Sequence, residues 1–154
     1  MIAAFDKLSD SEIELMLRAP LLTCILIAGA DNDIDRKEIQ EAIQVARKKA
    51  SKSKASLLEY YRLVGEDFED KLKIVLQSFP IEATQRNPLI IEELTMLNSI
   101  MPKLSKGFAA EFYQSLRDLA MKIASSSGGL LGLKSIGQEE ARFVNLPMIK
   151  DPSS

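Results

Sequence analysis

Apolar positions recur at helical intervals along most of this chain, and no segment alternates apolar with polar residues over the length of a strand. Ser9 and Glu12 have the spacing of a capping box, which predicts a short helix ending near Ala19, because the residue before Pro20 is disfavoured in helical geometry. Pro20 then suits the first position of a second helix, running to Gly29 or Ala30. That stretch is almost free of polar residues, so it is expected to be enclosed on most sides. Asp35 with Glu38 opens a third helix, in which Ile39, Ala42, Ile43, Ala46 and Ala50 share one face. A fourth spans about 54–64, with Leu57, Leu58, Tyr61 and Val64 inward and Gly65 at its end. Phe68, Leu72, Val75, Leu76 and Phe79 mark a fifth, stopped by Pro80.

Asn87 followed by Pro88 is a cap-then-proline start for a sixth helix carrying Ile90, Leu94, Leu97 and Met101, closed by Pro102. The seventh and longest begins near Ser105, with Phe108, Phe112, Leu116, Leu119 and Ile123 on its buried stripe, and ends where residues 125–129 read Ser-Ser-Ser-Gly-Gly. A last short helix is expected over 138–146. The pattern therefore predicts an all-α fold: a single compact domain of seven or eight helices over residues 9–146, then a flexible C-terminal tail, 147–154, kept from being helical by Pro147 and Pro152. Loops are expected to be short except around 80–87 and 125–137. The core should centre on Leu21, Leu22, Ile25, Leu26, Phe112, Leu116 and Leu119.

Composition agrees with one folded domain, since 46% of the 154 residues are hydrophobic. With 20 basic and 22 acidic residues the formal net charge is -2, so electrostatic recognition must come from local patches. The chain has no His, which removes Ser-His-Asp and Cys-His nucleophilic schemes, HExxH zinc sites and imidazole ligation of haem. An enzyme is not expected. Cys24, the single cysteine, sits in the apolar second helix and reads as a buried small hydrophobe. That apolar run is too short to span a bilayer, and the N-terminus lacks the features of a signal peptide, so a cytoplasmic, reducing location is expected.

The most distinctive segment joins the second and third helices. Asp31, Asp33 and Asp35 alternate as oxygen ligands do in a calcium loop, and Glu38 follows one helical turn later. An EF-hand is excluded, because Arg36 stands where its glycine belongs and Ala42 where its bidentate glutamate belongs. A shorter site remains open, in which Asp31, Asp33 and Glu38, with Asp35 partly engaged in capping, hold Ca²⁺ or Mg²⁺. Helix capping alone accounts for Asp35 and Glu38 but not for Asp31 and Asp33, whose mutual repulsion calls for a cation or solvent. Hard carboxylate oxygens favour such ions over Zn²⁺, and no organic cofactor is expected.

Two further motifs have plain readings. Arg47, Lys48, Lys49, Lys52 and Lys54 form the basic run, which reads as a solvated helix end or as a weak patch for an anionic membrane surface or acidic partner. Nucleic acid is not expected, because no aromatic residues interleave with these cations. Gly128, Gly129 and Gly132 match neither nucleotide-binding fingerprint, and no strand is predicted before them.

The order of apolar helix, Ala28, Gly29, Ala30, Asp31, Ile34 and Glu38 resembles the turn pattern of the TerB-like tellurite-resistance family. Residues 123–132, reading Ile-Ala-Ser-Ser-Ser-Gly-Gly-Leu-Leu-Gly and followed by Ile136, Glu139 and Glu140, are similar to that family's glycine-rich passage into its final helix. The resemblance spans about 10–146, its middle matching in helical character. It implies an all-helical, non-catalytic module with acidic metal-ligating residues, attached to stress-response systems and to protein partners. The chain departs from the pattern at Asn32, where a glycine commonly follows the first acid, and in the second turn, where serines and glycines replace the acid of a symmetric site. Two other readings stand beside it: a metal-dependent hydrolase using Asp31, Asp33 and Glu38 to activate water, and a structural interaction domain without a ligand. The residues leave homo-oligomerisation open.

Overall fold

The computed structural model describes residues 2–28, 36–50, 55–128 and 143–153. These form helices α1 (Asp10–Ala28), α2 (Arg36–Ala50), α3 (Ala55–Gly65), α4 (Phe68–Gln77), α5 (Ala83–Thr95), α6 (Leu97–Ile100) and α7 (Lys106–Gly128), with 3-10 turns at Ala3–Phe5 and Met101–Lys103. No strand occurs among the described residues. The expected core is present: Leu21, Leu22, Ile25, Leu26, Phe112, Leu116 and Leu119 are all buried.

Helix α1 organises the fold. Its start is the expected capping box, in which the Ser9 N–H donates to Glu12 Oε1 at 2.8 Å and the Glu12 N–H donates to Ser9 Oγ at 3.3 Å. The other Glu12 oxygen accepts from Lys103 Nζ at 2.6 Å, tying this end to the turn before α7. Every residue from Ala19 to Ala28 is buried, because α1 packs against α2, α3, α4, α5, α6 and α7. This C-terminal half, surrounded in this way, has no solvent face on which polar residues would be favoured.

The two helices expected on either side of Pro20 are one. Proline inside a helix removes the N–H that would bond the carbonyl four residues back, and its ring crowds that carbonyl, at a cost of about 3 kcal/mol. Here that carbonyl belongs to Met16, and it accepts the Tyr60 hydroxyl of α3 at 2.5 Å. The tertiary contact satisfies the acceptor that Pro20 leaves open. Burial on both sides of the proline favours the continuous helix.

A similar correction applies to Pro88. The sixth helix was expected to begin there, yet α5 begins at Ala83, within the predicted loop over 80–87. Glu82 O accepts the N–H groups of Gln85 and Arg86 at 3.0 and 2.8 Å, while Arg86 Nη1 donates to Ile81 O at 2.7 Å. These bonds, with Ala83 buried, fix the first turn upstream of the proline. The same helix stops earlier than periodicity suggests, at Thr95, whose hydroxyl donates to Ile91 O at 2.6 Å. Such back-bonding competes with the helical ladder, and the chain passes into α6 and a 3-10 turn before Pro102 and the break at Leu104.

Helix α7 packs most extensively along α1 and also covers α2 and α3. Ser105 Oγ caps its start by accepting the Phe108 N–H at 3.2 Å. It runs to Gly128, through the serines expected to end it. Phe5, Tyr60, Tyr61, Phe108 and Phe112 meet in an aromatic cluster, mostly edge to face, with the Tyr60 and Tyr61 ring centroids 5.0 Å apart. Phe5 and Ile2 bring the N-terminal residues before 9 into this core.

The helix expected over 138–146 falls partly outside the described residues, and residues 143–145 form a turn. The segment expected as a tail is held against α6: Asn98 Nδ2 donates to Met148 O at 3.0 Å and Asn98 Oδ1 accepts the Lys150 N–H at 2.8 Å. Val144, Leu146 and Ile149 are buried. Leu146 takes φ 50°, a left-handed conformation unfavourable for a branched side chain, and its complete burial holds it there.

Candidate functional site

Asp31, Asp33 and Asp35 lie outside the described residues. Glu38 falls in the first turn of α2, as the capping pattern predicts, and its side chain is likewise outside the described set. The described anchors of this carboxylate segment are the buried C-terminus of α1 at Ala28 and the start of α2 at Arg36. Among the described residues no group of three or more Cys, Asp or Glu side chains is placed to hold a metal ion. The glycine-rich passage beyond Gly128, with Ile136, Glu139 and Glu140, also lies outside them.

The basic run divides in the same way. Arg47 and Lys48 are exposed on the last turns of α2, whereas the Lys49 side chain, Lys52 and Lys54 fall outside the described residues. Because α2 buries Ile39, Ala42, Ile43 and Ala46 against α3 and α7, its stripe of Glu41, Val45 and Lys48 borders the adjoining groove. There the three helices leave a cleft of about 550 Å³. Arg47 and Lys48 reach it from α2, Lys122 from α7, and Leu58 from the first turn of α3. Lys122 has no neighbour in sequence that marks it; only the packing of α2 on α7 brings it beside the basic run.

A second concave surface follows the solvent side of α1. Leu17 and Leu21 with Ile74 and Val75 of α4 line a groove of about 400 Å³, flanked by Glu14, Arg18 and Lys71. Ile74 is 65% exposed there. Arg18 Nη1 pairs with Glu93 Oε1 at 3.0 Å across to α5, and Lys71 Nζ donates to Leu63 O at 2.7 Å, so both cations serve the fold.

The buried titratable groups lie on the inner side of these helices. Burial pushes the Cys24 thiol up from 9.0 to about 12, which keeps it protonated and unreactive near neutral pH. Tyr60 is raised well above the ordinary phenol value by burial and then by Tyr61, and Tyr61 is raised by burial. Glu12, held by Lys103 and the Ser9 N–H, is lowered. None of these groups opens onto the basic cleft. Comparison of the chain with family models, curated proteins and solved structures finds no match.

Proposed function

We propose that this chain is a non-catalytic, cytoplasmic TerB-like module of a stress-response or tellurite-resistance system, which binds protein partners and holds a divalent cation at the turn between α1 and α2. The observation that carries the reading is the order of an enclosed helical segment over 19–28, a carboxylate-rich connection and an amphipathic helix packed on α7. A rigid buried α1 and an anchored α2 fix both ends of residues 29–35, which limits the entropy lost when their carboxylates gather around an ion. Asp31, Asp33 and Glu38 would supply the oxygens, with Asp35 beside them. An all-carboxylate donor set suits Ca²⁺ or Mg²⁺, and the incomplete loop sets a weak affinity, on the order of 10⁻⁴ M or poorer.

Calorimetry of chelator-treated protein against Ca²⁺, Mg²⁺, Mn²⁺ and Zn²⁺ tests this reading. Ca²⁺ or Mg²⁺ should bind and raise the thermal midpoint, and the double change Asp31→Asn with Asp33→Asn should remove that increment without altering the apo midpoint. An identical cation-dependent shift in both proteins would show the site to be wrong. Turnover in a phosphoesterase panel that disappears in the double variant would favour the hydrolase instead.

A further inference from the structure

We infer that the cleft between α2, α3 and α7 is a docking site for an acidic peptide segment of a partner protein, in which carboxylates flank an apolar side chain. The inference deepens the reading of this chain as a binding module and gives the partner a chemistry. Arg47 and Lys48 lie on one helix and Lys122 on another, with Glu41 as an opposing charge among the described lining residues. In the same cleft Val45 and Leu58 offer apolar surface, and Leu58 belongs to the first turn of α3, where the helix dipole adds positive potential. A ligand matching this arrangement carries negative groups toward both α2 and α7 and an aliphatic side chain between them.

The shape favours a peptide over the other polyanions. A bilayer presents a broad surface, whereas these cations line a concave site of about 550 Å³, a volume suited to inserted side chains. No aromatic residue lines the cleft among the described residues, which removes the stacking platform used by single-stranded nucleic acids. Arginine and lysine on two helices can engage separate carboxylates, and each such exposed pair is individually weak. Binding should therefore be modest and strongly salt-dependent, with a Kd on the order of 10⁻⁴ M at low ionic strength.

The test is fluorescence anisotropy of the full chain with a fluorescein-labelled Gly-Glu-Glu-Leu-Glu-Glu-Gly peptide, using the Gly-Gln-Gln-Leu-Gln-Gln-Gly peptide as comparison and EDTA throughout. The chelator makes the result independent of any cation at the acidic turn, so the two failures are distinguishable. The acidic peptide should bind and the glutamine peptide should not. Arg47→Glu with Lys122→Glu should weaken binding by about tenfold or more, while Lys73→Glu with Lys106→Glu, an equal charge change at exposed positions outside the cleft, should weaken it by less than about threefold. If the first pair does not fold, Arg47→Gln with Lys122→Gln replaces it, and loss of binding is again expected. Absence of saturable binding, or equal weakening by both charge-reversal pairs, overturns the proposal. So does selective binding to vesicles containing phosphatidylserine, lost in the cleft variant, when the acidic peptide does not bind.

Discussion

Tyr60 shows how one side chain settles a backbone question. Its hydroxyl occupies the Met16 carbonyl that Pro20 leaves without a helical partner, at a fully buried position. Tyr60→Phe should cost about 1–3 kcal/mol, the penalty of a buried polar group left unmade. In a Pro20→Ala background the helix regains its N–H, and the same change should cost measurably less. Urea unfolding of the four proteins in this cycle checks the coupling, and equal costs in both backgrounds would break the link between the two residues. Cys24 gives a second residue-scale expectation. Its thiol stays protonated in the fold to about 12, whereas the unfolded chain loses that proton from about 9.0 upward. Unfolding thus releases a proton in this window, and stability should fall as pH rises from 9 toward 12. Between about pH 8 and 9, where unfolded tyrosines stay about nine-tenths protonated, Cys24→Ala should flatten the slope of the urea midpoint against pH. An unchanged slope would assign the loss to other groups.

At the scale of elements, the helix starts were more legible than the helix ends. Ser9 with Glu12 forms the capping box its spacing predicts, and α7 starts beside Ser105 as expected, with the Ser105 hydroxyl capping it. Ser9→Ala should destabilise the protein by about 1 kcal/mol through loss of the α1 cap. Chemical denaturation measures this, and a change within experimental error would show the cap to be redundant with the Glu12 to Lys103 contact. The interruptions were harder to read because their outcome depends on groups outside the proline's own capping pattern, remote for Pro20 and upstream for Pro88. Pro20 lies mid-helix, and the Met16 carbonyl it leaves open is met by Tyr60, 44 positions from Met16, while Pro88 lies inside a helix whose first turn is fixed by Glu82 and Arg86. The amphipathic face of α2 was legible from spacing, which also places Arg47 and Lys48 on its outer side.

Across the whole molecule, the layout is a central helix covered by its neighbours, closed at one side by the C-terminal segment. If that segment is part of the cooperative core, Leu146→Ala should lower the unfolding free energy by roughly 2–5 kcal/mol, as for other buried leucines. A peripheral tail would lose less than about 0.5 kcal/mol. Thermal and urea unfolding distinguish these outcomes. The basic cleft is also a molecular-scale feature, since α2, α3 and α7 contribute residues as distant in sequence as Arg47 and Lys122.

Sequence alone determined the helical class, the enclosed character of residues 20–28, the core stripes of α2 and α7, and the candidate carboxylates Asp31, Asp33, Asp35 and Glu38. Those features depend on period, capping and residue chemistry, which act within a few positions. Tertiary structure decided that α1 passes through Pro20, that Leu146 and Ile149 belong to the core, and that Lys122 joins Arg47 and Lys48. A proline's cost, a left-handed leucine and a surface charge each have several local solutions. Packing selects among them, because burial and a hydrogen bond from a distant helix can outweigh the few kcal/mol that local preference supplies.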